Sequence, residues 1–395
     1  MGSAMGIQRR GSNQSANFNF NVGEIMTRSV VTDARRVVIK IGSSSLTGKD
    51  GTGLDSSAVA KLVDAVAQLK NDGKEVIVVS SGAIAAGLAP LGLHARPQDL
   101  ATQQAAASVG QGLLIHSYTE SFQRHSITAS QVLLTIEDIV RRSHYQNAQR
   151  TLFKLLQLGV VPIINENDSV GTQEIRFGDN DRIAALVSHL VGADLLVLVT
   201  DVDALYDAPP SQSGAKKILE VKHIDEISTA EIGGAGSKVG SGGMVTKIEA
   251  ARIATGAGIP MLLTSLNEVS QSLTGSESGT LFLASASKKS SRLLWLAHAA
   301  TPRGRVTLDA GAVTALKERG VSLLPAGVTA VTGEFSSGDT IEIASADGTV
   351  IARGLVAFDS EEIPQMLGRS TKELAKELGP EYERELVHRD DMVLL

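Results

Sequence analysis

A chain of 395 residues with 43% hydrophobic and 20% charged side chains is long enough for about two globular domains. Its net charge of −6 weighs against a general binder of nucleic acid or of anionic membrane surfaces. It has no cysteine, which excludes disulfides, thiolate nucleophiles and cysteine-ligated zinc, and it has no apolar run near the length of a membrane span.

Residues 1–33 are polar, rich in Asn, Ser and Gly, and have no apolar core of a secretory signal. They read as a disordered leader, in part an appended one, with Met26 a candidate natural start and the cytoplasm the expected compartment. Arg36 to Ile41 (R-V-V-I-K-I) then reads as a buried strand running into Gly42 and a serine-rich turn. Leu54 to Leu69 has helical spacing, with Asp55 or Ser56 as its cap. A second strand at Glu75 to Val79 is broken by Ser80, Ser81 and Gly82. Helices follow at Leu100 to Tyr118 and Asp138 to Leu158, with a strand at Ile127 to Leu134 between them.

The apolar run Val160 to Ile164 reads as a strand that ends abruptly in Asn165, Glu166, Asn167 and Asp168. A second polar cluster, Asp179, Asn180 and Asp181, precedes an amphipathic helix carrying Ile183, Leu186, Val187 and Leu190. Asp194 to Thr200 is a fully apolar strand closed by Asp201. The glycine-rich stretch Gly233 to Gly243 leads into a helix at Met244 to Ala257, and Pro260 to Thr264 reads as the last strand of this region. Apolar strands alternating with helices predict a mostly parallel sheet covered on both faces, an α/β three-layer sandwich. Domain boundaries are expected at 34–285 for this unit, 286–301 for a linker, 302–383 for a small β-rich domain and 384–395 for a C-terminal tail.

Carboxylates and amides crowded at a strand's end are costly to bury without partners. The carboxyl edge of an open α/β sheet is also where ligands bind. Asn165 to Asp181 therefore has two readings, a solvated turn with Asp179 or Asn180 as helix cap, or part of a site. Lys40 likewise either snorkels from a strand end or directs its ammonium to a phosphate beside Gly42. The turn is not a Walker A loop, because Asp50 follows Lys49 where Ser or Thr is required. Ser80-Ser81-Gly82 can cap a helix or hold an anion at its N-terminus. Thr200-Asp201 suits a nucleotide or a plain turn. Gly240-Ser241-Gly242-Gly243-Met244-Val245-Thr246-Lys247 opens a helix on glycines with a lysine one turn in, as a phosphate cradle or a flexible loop would. Asp179-Asn180-Asp181 lacks the ligand and glycine positions of a calcium loop. Two separated lysines, a glycine cradle and a carboxylate–amide cluster converge on phosphoryl transfer. An acceptor carboxylate with a pKa of about 4.3 would already be ionised at pH 7 and would need no general base.

The ordered set V-V-I-K-I-G, V-S-S-G-A-I-A-A-G, I-N-E-N-D, F-G-D-N-D, L-V-T-D and G-S-G-G-M-V-T-K resembles the amino-acid kinase family, in the branch that phosphorylates glutamate. The resemblance runs from about Ala34 to Ala284 and on through a second domain that looks like a PUA domain. It implies ATP-dependent phosphorylation of the L-glutamate γ-carboxylate to γ-glutamyl phosphate, the first step of proline synthesis. Lys40 and Lys247 match lysines that contact the transferred phosphoryl, and Asp181 the aspartate that orients them. Ser81, Asp168 and Asn180 match glutamate-binding positions, with Asn165 a weaker addition. Lys40, Thr200, Asp201, Ser241, Gly242, Gly243, Met244, Val245, Thr246 and Lys247 match ATP-binding segments, with Mg²⁺ held mainly by the nucleotide phosphates. Proline as feedback inhibitor, glutamyl-phosphate reductase as downstream partner and a homo-oligomeric state are further implications. Another carboxylate, carbamate or nucleotide kinase of the same fold stays as the alternative, as does RNA binding through the second domain. Against RNA, Arg303 to Glu383 carries eight basic and thirteen acidic side chains, the wrong sign for a phosphate backbone.

Overall fold

The computed structural model describes residues 22–48, 51, 53–140, 142–170, 180–208, 214–227, 243–284 and 302–395. Its larger sheet is built on the apolar runs: β1 (Arg36–Ile41), β2 (Glu75–Ser80), β3 (Ala129–Leu134), β4 (Val161–Glu166), β5 (Leu195–Thr200), β6 (Glu220–Val221), β7 (Met261–Ser265) and β8 (Thr280–Phe282). Their order is β3-β4-β2-β1-β5-β7-β8-β6. All pair in parallel except β8 against β7. Pro260 to Thr264 is thus not the last strand. β8 is three residues long and β6 two, too short to leave a periodic signal.

Alternation along the strands feeds two separate cores. On β1, Val37, Ile39 and Ile41 face one side with α2 (Ser56–Asn71) and the Leu114, Tyr118 and Phe122 stripe of α4 (Leu100–Gln123). Val38 faces the other, with α6 (Asn180–Leu190) and α7 (Met244–Gly256). Each fully buried Val, Leu or Ile contributes roughly 1.5–3 kcal/mol. Because both faces are covered, the strands can be apolar throughout. Lys40 has the parity of Val38, so it projects towards α6 and α7. The strand order reverses beside β1, which puts the ligand-binding crevice of such a sheet at the carboxyl ends of β1, β2 and β5.

Local signals set the helix ends. Asp55 caps α2 by accepting from the Ser57 and Ala58 N–H groups, and Asp99 caps α4 through Thr102 N–H. Between them, α3 (Ala83–Leu88) crosses α4 at backbone distance. A Cβ on Gly87 would stand 1.9 Å from Ala106 O and one on Gly110 1.8 Å from Ala83 O, so no larger residue fits either position. The expected helix at Asp138 to Leu158 is instead Ile136–Val140 and α5 (Arg142–Gln157).

The expected leader is partly structured. Residues Val22–Asp33 form α1, with Val31 buried in the core and Arg28 donating to the carbonyls of Ser278, Leu219 and Gly279. Local polarity hid this, because the partners of Arg28 lie far along the chain.

The second unit holds a sheet in the order β10-β9-β11-β12-β13, from β9 (Gly304–Leu308), β10 (Val328–Gly333), β11 (Thr340–Ser345), β12 (Val350–Leu355) and β13 (Met392–Leu394). Its helices are α8 (Ala310–Arg319), capped by Asp309, and α9 (Thr371–Leu378), opened by a Ser370–Glu373 capping box. Residues 384–395 are not a tail. Leu386 and Val387 are fully buried beside Phe358, and β13 pairs with β12.

Candidate active site

Three buried charges meet at the carboxyl edge of the large sheet. Lys40, on β1, places Nζ 2.5 Å from Asp181 Oδ1. Lys247, on the first turn of α7, places Nζ 3.6 Å from Asp181 Oδ2. Thr246 Oγ1 donates to the same Oδ2 at 2.8 Å. Asp181 is 1% exposed, and both lysines are buried. Burial alone would raise the Asp181 carboxyl, but the two ammonium groups and the hydrogen bonds from Lys40 and Thr246 outweigh it and hold it below the ordinary carboxylate range. The three residues predicted as catalytic are therefore one cluster, assembled from β1, α6 and α7.

Gly42 follows β1 with extended backbone, and an added Cβ would touch Lys40 Nζ at 3.5 Å. Gly243 opens α7 without a side-chain cap, and a Cβ there would meet nothing within 4 Å. In the first α7 turn the Thr246 N–H donates to Gly243 O at 3.2 Å, and a helix start of this kind favours anions. Met244 is partly buried and Val245 exposed. Thr200, buried at the end of β5, donates through Oγ1 to Asp201 at 2.8 Å, and Asp201 is exposed. Of the predicted nucleotide positions, Ser241 and Gly242 lie outside the described residues, as does Asp179 of the polar cluster.

The strand does not end before the I-N-E-N-D amides, contrary to expectation. Asn165 and Glu166 lie within β4, 1% and 5% exposed. Burial is tolerated because Asn165 is satisfied on both sides. Its Nδ2 donates to Gln111 Oε1 at 2.7 Å, while its Oδ1 accepts from Glu166 N–H at 2.9 Å and from Asn180 Nδ2 at 3.2 Å. Asn180 Nδ2 donates also to Ser81 Oγ at 3.0 Å. Ser81, Asn165 and Asn180, predicted together as substrate positions, form one hydrogen-bonded row. Asp168 lies beyond the end of β4 and faces Arg96, its carboxyl pushed up to about 6 by burial, which the Arg96 charge only partly offsets.

Gln111 and Arg96 were not among the predicted site residues. Gln111 sits in the helical run G-Q-G, whose two glycines within a helix were the available signal. Arg96 precedes Pro97 in a turn and carried none. The helices bearing the charges are tied together by Arg182, whose Nε and Nη2 both reach Glu249 Oε2 at 2.9 and 2.6 Å. Both oxygens of Asp181 face Lys40, Lys247 and Thr246, and among the described residues no group of three His, Cys, Asp or Glu side chains is placed to hold a metal. The described residues of the cluster fit a divalent cation carried on a nucleotide's phosphates.

The profile of the Amino acid kinase family matches residues 35–265, and that of the PUA domain residues 304–378. A glutamate 5-kinase of Streptomyces avermitilis is 60% identical over 370 residues, covering 93% of this chain and 98% of that protein. Its counterpart in Salinispora arenicola is 60% identical over 369 residues, covering 93% and 100%. That of Bifidobacterium longum strain NCC 2705 is 52% identical with 93% and 98% coverage. With identity of this order across both matched domains, the chain belongs to the amino acid kinase family, in its glutamate 5-kinase branch with a PUA domain.

Proposed function

We propose that this chain transfers the terminal phosphoryl group of ATP to the γ-carboxylate of L-glutamate, giving ADP and γ-glutamyl phosphate. The reading rests on two buried lysines sharing one carboxylate at the sheet's carboxyl edge. A γ-carboxylate oxygen attacks the terminal phosphorus as the bond to the bridging oxygen breaks, and ADP leaves with that electron pair. The acceptor is already anionic at neutral pH, with a pKa of about 4.3, so no proton has to be removed. Catalysis reduces to positioning and to cationic stabilisation of charge spreading over the phosphoryl oxygens.

Lys40 and Lys247 supply that charge, and Asp181 holds the two like charges side by side instead of acting as a base. Gly243 to Lys247, with Ser241 and Gly242 before them, and Thr200 and Asp201 receive the nucleotide. Ser81, Asn165, Asp168 and Asn180 receive glutamate. A Mg²⁺ ion bound with the nucleotide would be held mainly by its phosphates and would supply charge neutralisation there.

The same reading carries the place of the reaction at the start of proline synthesis, feedback by proline at the glutamate site, and delivery of the labile acyl phosphate to a glutamyl-phosphate reductase. A homo-oligomeric state and a cytoplasmic location belong to it as well. No helix of the described residues is long and apolar enough to cross a membrane. For the PUA domain, the acidic balance favours a structural or regulatory role over RNA binding.

Incubation with ATP, Mg²⁺, L-glutamate and hydroxylamine tests the reaction. Glutamate-dependent hydroxamate is the expected result, and its absence overturns the assignment. A panel of aspartate, N-acetylglutamate, carbamate and UMP separates glutamate from the acceptors of other kinases on this fold.

A further inference from the structure

The row of amides behind the site has a direction. Glu166 N–H can only donate, and it points at Asn165 Oδ1. That contact settles which end of the Asn165 amide is oxygen. Asn165 Nδ2 then needs an acceptor, which Gln111 Oε1 provides from α4. Asn165 Oδ1 in turn takes Asn180 Nδ2, whose other contact is Ser81 Oγ. With Nδ2 committed to both, Asn180 Oδ1 is left as a buried acceptor that has no donor among the described residues, on a residue 7% exposed. A buried acceptor without a donor is costly, and reversing the amide would set Nδ2 free but turn Oδ1 towards an acceptor, Asn165 Oδ1.

L-Glutamate carries two carboxylates, which only accept at neutral pH, and one ammonium, which only donates. A buried acceptor that still lacks a donor matches the ammonium and neither carboxylate. We propose that the row Gln111–Asn165–Asn180 sets the polarity of the amino-acid site, presenting Asn180 Oδ1 to the α-ammonium of the substrate, with Gln111 as the positioning residue at its far end. The inference rests on an amino acid being the acceptor, as in the proposed function. Gln111 touches no reacting atom. It acts by holding Asn165 from one side while the Glu166 N–H holds it from the other, and its placement depends on the close crossing at Gly87 and Gly110.

The test compares L-glutamate with glutarate, which has the same two carboxylates and no ammonium. Wild-type protein is expected to bind L-glutamate at least ~10-fold more tightly than glutarate in calorimetric titrations without ATP, the scale of one buried charged hydrogen bond. Gln111→Met, of similar length but with no acceptor oxygen, is expected to raise KM for L-glutamate ~10-fold. Its kcat, its KM for ATP and its handling of glutarate stay unchanged. Gln111→Glu keeps an acceptor for Asn165 Nδ2 and restores most of the loss. In an Asn180→Ala background, Gln111→Met adds nothing further, because the row is already cut.

Equal losses on glutamate and glutarate, a Gln111→Glu protein as impaired as Gln111→Met, or additive effects with Asn180→Ala each overturn the inference. If Gln111→Met fails to fold, Asn180→Ala decides, with glutamate binding expected to weaken ~10-fold and glutarate binding unchanged; equal losses on both sink the proposal, as does a wild type indifferent to the ammonium. A wild type that binds glutamate in preference to glutarate but never phosphorylates it overturns the reaction and leaves the inference standing.

Discussion

Arg182 and Glu249 join the two helices that carry the site's opposed charges. The guanidinium reaches one carboxylate oxygen through two nitrogens, at 2.9 and 2.6 Å, one residue from Asp181 on α6 and two residues from Lys247 on α7. The pair is partly exposed, at 23% and 30%, so its own worth is about 1 kcal/mol or less. Its effect on geometry can exceed its effect on stability, since small displacements of catalytic groups are amplified in rate. Glu249→Ala is expected to lower kcat by ~3- to 10-fold while moving Tm by only a few degrees. Steady-state kinetics beside a thermal melt checks this, and a normal kcat with a lowered Tm would show that the pair serves the fold alone.

Asp181→Asn removes the charge that lets two buried ammonium groups lie side by side. Leaving them uncompensated is expected to cost about 3 kcal/mol of stability and at least ~100-fold in kcat. Because the Asp181 carboxyl is held below its ordinary range when folded, its contribution is present above the unfolded value of about 3.9 and disappears as pH falls through the depressed folded value. The wild type should therefore keep this contribution to about pH 4, whereas Asp181→Asn should show none of the acid loss due to this group. Urea melts of both proteins between pH 3 and 7 measure the difference.

Lys247→Ala should separate binding from chemistry. The ammonium lies 3.6 Å from Asp181 Oδ2, and in the proposed reaction it faces the transferred phosphoryl group. Its charge is needed most where phosphoryl charge spreads in the transition state. A kcat lowered by ~100-fold or more with KM for glutamate within about threefold is expected. A large KM effect with normal kcat contradicts the role.

The strands were legible in the sequence because a sheet covered on both faces leaves long apolar runs, and Lys40 stood out as a charge inside such a run. The convergence of Lys40, Lys247 and Asp181 was legible through the ordered motifs, which carry information about contacts between distant segments. Asn165 and Glu166 were misread as the end of a strand, since what makes the burial of Asn165 possible comes from Gln111 and Asn180, far away along the chain. Arg96 gave no signal for the same reason. Local polarity predicts exposure unless a partner is known, and the same shortfall hid α1 and β13.

Asp168 supplies a pH dependence of its own. Burial raises its folded pKa to about 6, with Arg96 pulling the other way. The raised value means that protonation favours the folded, unliganded chain. The stabilisation is complete below the unfolded value of about 3.9 and lost as pH rises through about 6. In the proposed function glutamate binding has the opposite demand, because the substrate ammonium would pair with the ionised carboxylate. KM for glutamate is expected to rise as pH falls from 7 to 5, with a break near 6, and Asp168→Asn should have a higher KM without that break. A pH profile of kcat/KM for glutamate reads both, and an unchanged break in Asp168→Asn would assign it to another group.

The helix α1 makes the last case, since it occupies sequence that reads as a leader. Arg28 is 8% exposed and donates from Nη1 to Ser278 O at 2.9 Å, and from Nη2 to Leu219 O at 2.9 Å and Gly279 O at 3.2 Å. Those carbonyls lie at the starts of β6 and β8, the short strands at the sheet's far edge. Two or three residues of strand pairing are too few to hold such an edge alone, so the guanidinium acts as a clamp on both strands. Arg28→Met keeps the apolar stem and removes the donors, and is expected to lower stability by about 2–3 kcal/mol. Nothing in the lysine–aspartate cluster depends on this contact, so kcat well below the melting temperature should stay within twofold of wild type, about 0.4 kcal/mol in the barrier. Hydrogen exchange should show faster opening at Thr280 to Phe282 than at β1 or β5. Unchanged Tm and unchanged exchange in Arg28→Met would show that α1 rests on the sheet without holding it.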